Sequence, residues 1–144
     1  MIVVDAMILA YAVIEVPDHT PAVNELLDTG HAWAAPPLWR SELRNVLLQY
    51  VRVSEDTRPG EAVSLEDARR KMGLAETLIG QRTFAVDSDT VFDVVEATNL
   101  TAYDGEYVAL ALEMNVPLVT MDGAVLEVVP SVAARPEDVA APEP

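Results

Sequence analysis

The sequence has no cysteine, one lysine and two histidines in 144 residues, and each shortage closes off a class of chemistry. Without cysteine there are no disulfides and no Cys-ligated zinc, which fits a reducing compartment; the cytoplasm is the expected location. The single lysine, Lys71, falls in a helix-like stretch, not at the end of a late strand where a phosphorylatable receiver domain needs one. His19 and His31 have no Ser or Cys nucleophile nearby and sit in segments with surface or strand-start character. The six glycines are scattered, so no glycine-rich phosphate loop exists. No apolar run approaches the ~18–20 residues of a membrane span. The first residues begin a strand directly, without a basic region or a small-residue cleavage site, so no signal peptide is expected.

Basic residues are scarce as a class: nine against 24 acidic ones, for a net charge of −15. Phosphate contacts supply most sequence-independent affinity for nucleic acid, so this chain should repel RNA at long range. Arg40, Arg44, Arg52, Arg69, Arg70 and Arg82 are the phosphate contacts on offer. The same acidity favours solubility and a cationic protein partner, and it also suits a high-salt habitat.

What is present is an alternation of short apolar strands and amphipathic helices. Ile2–Val4 reads as a buried strand, and Ala6–Val13 as a short helix. Asp18 or Thr20 can cap a second helix that ends before Gly30. His31–Ala35 reads as a strand stopped by Pro36-Pro37, and a long helix follows with Leu38, Trp39, Leu43, Val46, Leu47 and Tyr50 at helical spacing. Ser54–Val63 has the composition of a surface loop, and Ser64-Leu-Glu-Asp67 that of a capping box for a helix to Ile79. Thr83–Val86 reads as a brief strand, Ser88–Ala97 and Gly105–Met114 as helices, Pro117–Met121 as a strand, and Ser131–Ala133 as a weak one. This order predicts one domain with a three-layer α/β fold and a mainly parallel sheet over residues 1–134. Residues 135–144, rich in Pro, Ala and Glu, are expected to be a disordered acidic tail.

In such a fold four carboxylates converge. Asp5 closes the first strand, Asp122 follows the last strong one, Asp104 stands at the start of a helix, and Glu42 lies beside the apolar stripe of the long helix. Ligand sites in open α/β sheets gather at the carboxyl ends of the strands. Each acid also has an ordinary reading: Asp5 and Asp104 as N-caps, Asp122 as a turn residue, Glu42 on a solvated face. Glu42 is the most telling, because Arg40 and Arg44 lie about 160° around the helix from it by the 3.6-residue repeat. Four carboxylates without a cationic partner call for a hard divalent ion, Mg²⁺ or Mn²⁺. Thr120, two residues before Asp122, is on the same side of its strand and can orient a carboxylate.

With these residues in place the chain resembles the PIN domain family, and most closely the VapC-type toxins of toxin–antitoxin pairs. The resemblance rests on Val4-Asp5-Ala-Met-Ile-Leu-Ala-Tyr11, Ser41-Glu42-Leu-Arg-Asn-Val46, Leu100-Thr-Ala-Tyr-Asp104-Gly-Glu-Tyr-Val-Ala-Leu-Ala111 and Leu118-Val-Thr-Met-Asp122, and it runs from Met1 to about Val129. It implies a Mg²⁺- or Mn²⁺-dependent endoribonuclease whose metal-binding acids are Asp5, Glu42, Asp104 and Asp122, with a metal-activated water attacking phosphorus. It also implies a cognate antitoxin whose basic segment enters the acidic pocket, and a homodimer. Two positions depart from the family pattern. Gly123-Ala-Val-Leu126 lacks the basic residue often found after the last Asp, and Gly105 stands where Ala is more usual. The rival readings are a catalytically weak or inactive PIN-like binding module, and a DNA-directed nuclease of related chemistry.

Overall fold

The computed structural model describes residues 1–57 and 63–141. Four short strands form one all-parallel sheet: β1 (Ile2–Val4), β2 (Trp33–Ala34), β3 (Leu118–Val119) and β4 (Ala133–Ala134), in the order β2-β1-β3-β4. Ile2 pairs with Trp33, Val3 with Leu118, and Leu118 with Ala133. Every residue of β1, β2 and β3 is buried, which is why these segments read as unbroken apolar runs instead of alternating ones.

The helices are α1 (Ala6–Val13), α2 (Thr20–Asp28), α3 (Leu38–Thr57), α4 (Leu65–Ile79), α5 (Ser88–Thr98), α6 (Ala102–Met114), α7 (Gly123–Val128) and α8 (Pro136–Ala140). They cover the sheet to give three α/β/α layers. Helix α6 lies on β1 and β3 with α5 packed against it, while α1, α3 and α4 pack on one another. In α3 the buried residues are Trp39, Leu43, Leu47 and Val51, a four-residue repeat that makes one apolar stripe along a helix of five to six turns. Among the described residues no helix is long and apolar enough to cross a membrane.

Several expectations are corrected. The strand expected over Thr83–Val86 shrinks to a single bridge between Thr83 and Ala35, held by the Phe84 N–H to the Ala35 carbonyl at 3.1 Å. Helix α3 runs on to Thr57, so Ser54–Thr57 are helical; the remainder of the expected loop lies partly outside the described residues. Helix α6 begins at Ala102 because Thr101, not Asp104, is its cap: the Thr101 hydroxyl accepts the Asp104 N–H at 3.1 Å. His19 precedes α2 without a side-chain cap, and the Thr20 hydroxyl instead binds the Tyr11 and Ile14 carbonyls.

The acidic tail is also corrected. Pro136 starts α8, is itself buried, and the helix packs against α2; proline at the first helical position suits a missing N–H. Pro136 is buried and Val139 is half-buried against the core, while residues 142–144 of the expected tail lie outside the described residues.

Candidate active site

In the order β2-β1-β3-β4 the chain leaves β1 toward β2 and leaves β3 toward β4, so the connections from these two neighbouring strands run in opposite directions across the sheet. A crevice outside the carboxyl ends of β1 and β3 is the consequence. A cavity of about 370 Å³ occupies this position and is lined by Asp5, Glu42, Asp104 and Asp122, with Thr120, Tyr107, Tyr11, Asn45 and Met7 around them. All four acids expected from the sequence therefore open onto one space, delivered by a strand end, two helices and a strand-to-helix turn. Among the described residues no Lys, Arg or His lines it.

Each acid is held differently. Asp5 is at once the N-cap of α1 and a site residue: its Oδ1 accepts the Ile8 N–H at 2.9 Å, and its Oδ2 accepts the Thr120 hydroxyl. Thr120 is 1% exposed, the buried polar side chain beside the site. Its hydroxyl oxygen also accepts the Asp122 N–H at 3.0 Å, so one buried hydroxyl ties the ends of β1 and β3 together. Asp122 caps α7 through Oδ1, which accepts from Ala124 N at 2.9 Å and Val125 N at 3.1 Å. Asp104 sits in the first turn of α6, where the exposed amides of a helix start favour a negative charge. Glu42 is half-buried on α3, and its Oε1 accepts the Tyr107 hydroxyl at 2.7 Å. The cap readings and the site reading thus coexist for Asp5 and Asp122.

Electrostatics record the crowding. Burial, offset partly by the Thr120 and Ile8 hydrogen bonds and reinforced by Glu42, pushes the Asp5 carboxyl up to about 6. Burial likewise raises Glu42, with Asp104 and Glu106 adding to it against the lowering effect of the Tyr107 bond. Burial and the adjacent Glu42 carboxylate keep the Tyr107 hydroxyl protonated well above the ordinary phenol range.

The donor set consists of hard oxygens without compensating cations, which suits Mg²⁺ or Mn²⁺ in kind. Among the described residues, however, no three Asp, Glu, His or Cys side chains converge tightly enough to make a ready-made ion cage. Lining a common cavity is the weaker geometric condition and the acids meet it.

Three residues around the site had no role in the sequence reading. Tyr107 stands in the sequence only as part of a family-like run; its signal is a polar-tipped aromatic three residues after Asp104 on the otherwise apolar buried face of α6. Glu106 lies close enough to raise Glu42. Tyr11 stacks on His19 with ring centres 4.5 Å apart. Three of the cations are employed elsewhere. Arg82 donates to the Trp33 and Leu78 carbonyls at 2.8 Å, Lys71 to the Val13 carbonyl at 2.9 Å, and Arg40 packs over the Trp39 ring beside Glu76.

No protein-family model matches the chain, and no curated protein matches it. Solved structures do. PAE2754 from Pyrobaculum aerophilum superposes with a TM-score of 0.72 at 21% identity, covering 96% of this chain and 92% of that one. FitAcB from Neisseria gonorrhoeae gives 0.70 at 15% identity, over 94% of this chain and 98% of its own. FitAB bound to an IR36 DNA fragment gives 0.70 at 14%, over 100% and 99%. At these identities the likeness speaks for the backbone alone. The chain has a three-layer α/β/α PIN-like fold with an all-parallel four-stranded sheet.

Proposed function

We propose that the protein is a Mg²⁺- or Mn²⁺-dependent endoribonuclease that serves as the toxin of a toxin–antitoxin pair. The observation that carries the reading is the cavity at the β1 and β3 ends, lined by Asp5, Glu42, Asp104 and Asp122 with no basic lining residue among the described residues. Bound there, the ion would activate water for attack on phosphorus and neutralise charge on the leaving oxygen. Asp5 and Asp104 are the first choices for direct ligands, with Glu42 and Asp122 acting directly or through water. Thr120 holds Asp5 in one orientation and fixes the backbone that presents Asp122. No histidine lines the cavity, so proton removal from the attacking water falls to carboxylate or solvent oxygens.

The same uncompensated pocket is the natural receptor for an arginine of a cognate antitoxin's basic segment, since guanidinium forms paired hydrogen bonds with carboxylates. The reading includes a homodimer; a clean monomer on size-exclusion chromatography at micromolar concentration would remove that part. The spread of the acids and the shortage of cations favour a second reading, a PIN-like binding module with little or no turnover.

Labelled mixed-sequence RNA and DNA, incubated with Mg²⁺ or Mn²⁺, separate these readings. The expectation is metal-dependent RNA cleavage, abolished by EDTA and reduced at least about 100-fold by Asp104→Asn, since one electrostatic group at a reacting centre is worth ~10²–10³. Metal binding without cleavage would point to a highly selective toxin, absence of both cleavage and metal binding would move the assignment to the binding module, and cleavage confined to DNA would reassign the substrate.

A further inference from the structure

Helix α6 buries Gly105, Tyr107, Val108, Ala109, Leu110 and Ala111, and the Tyr107 hydroxyl is the one side-chain polar group in that set. Tyr107 is only 4% exposed, so its hydroxyl requires a partner within the protein. A backbone carbonyl would satisfy it as well as anything else. Its partner is instead Oε1 of Glu42, at 2.7 Å and 65 residues away in sequence, across the candidate site. Glu42 is half-buried on α3, and a glutamate there retains rotamer freedom that a single short hydrogen bond to a rigid, packed ring takes away. The bond occupies Oε1 and leaves Oε2 as the oxygen available to the cavity.

We propose that Tyr107 is a positioning residue for Glu42: its hydroxyl, anchored in the buried face of α6, fixes the glutamate carboxylate so that its second oxygen is presented to a divalent ion. The inference rests on the metal-dependent reading of the cavity and goes beyond it by assigning a role to a residue that acts through the glutamate it holds. A hydroxyl that merely satisfied its own burial would contribute to stability and leave ion binding untouched.

The test measures Mn²⁺ affinity by electron paramagnetic resonance on the full chain, for wild type, Tyr107→Phe, Glu42→Ala and the double variant, with thermal unfolding alongside. Phenylalanine keeps the ring and its packing, so Tyr107→Phe is expected to unfold cooperatively close to wild type. Its Mn²⁺ affinity is expected to fall roughly 10-fold, the lower end of what orienting partners of ligands supply. In the Glu42→Ala background the phenylalanine should produce no further loss. If Glu42→Ala weakens Mn²⁺ but Tyr107→Phe does not, or if the two losses add, the positioning role is overturned while the metal reading stands. If Glu42→Ala leaves Mn²⁺ affinity unchanged, Glu42 is no ligand and the proposal falls with that assignment. A Tyr107→Phe protein that loses its cooperative transition would be replaced by Glu42→Gln, which keeps the hydrogen bond. Its Mn²⁺ affinity should then fall while its thermal midpoint holds, and an unchanged affinity would again reject the role.

Discussion

At the residue scale the site is built by letting single polar groups serve two ends. Asp5 caps α1 and borders the cavity, and burial there pushes its carboxyl from the ordinary 3.8 up to about 6 against the lowering effect of its hydrogen bonds. A folded state that binds the proton more tightly than the unfolded one loses stability as pH rises between these values. The metal-free protein is therefore expected to be more stable near pH 4.5 than near pH 7.5 by roughly 2 kcal/mol from this group, at about 1.4 kcal/mol for each tenfold difference in proton affinity. Glu42, also raised, adds in the same direction. Thermal unfolding in EDTA across that range measures it, and Asp5→Asn should flatten the slope; a wild-type protein that gains stability toward pH 7.5 would contradict the assignment. Thr120→Val removes the hydroxyl that holds Asp5 down. Its steep region should therefore move to higher pH.

At the scale of elements, packing decides where local preference is silent. Gly105 read as a slight weakening of its helix, yet a Cβ there would lie 3.2 Å from Val95 and 3.3 Å from Val91 of α5. Valine is stiff about χ1, so neither neighbour can turn aside freely. Gly105→Ala gains helix propensity of up to about 1 kcal/mol and loses about 1–3 kcal/mol to overpacking. A net loss near 1 kcal/mol, seen as a lower midpoint in urea, is the expected result. Truncation after Arg135 should likewise lower stability by about 1–2 kcal/mol, because Pro136 and Val139 leave their apolar surroundings. These two elements mark the limit of what the sequence discloses. The bounds of β1 and α1 follow from an unbroken apolar triplet and a capping aspartate; Asp5, Asp104 and Asp122 follow from their places at strand ends and a helix start, and Glu42 from its place beside the apolar stripe of α3. What stayed hidden depends on partners distant in sequence: the approach of α5 to Gly105, the docking of α8 on α2, and the Tyr107–Glu42 bond. No periodicity encodes those.

For the molecule as a whole, a net charge of −15 sets the terms of any encounter with nucleic acid. Repulsion between like charges is screened by salt, with a Debye length of about 10 Å at 0.1 M. If the nuclease reading holds, kcat/KM on RNA at saturating Mg²⁺ should rise about two- to five-fold between 20 and 150 mM KCl, opposite to the trend for basic binders. A fall over that range would point to a local cationic path for the strand. Lys71 carries a different consequence. The chain's sole lysine lies inside α4 and is tied to the last turn of α1 through the Val13 carbonyl. A lysine-specific protease therefore has one place to cut, and it must wait for α4 to come loose. The rate of that single scission reports how often this helix opens in the folded protein, with no label added and no residue changed.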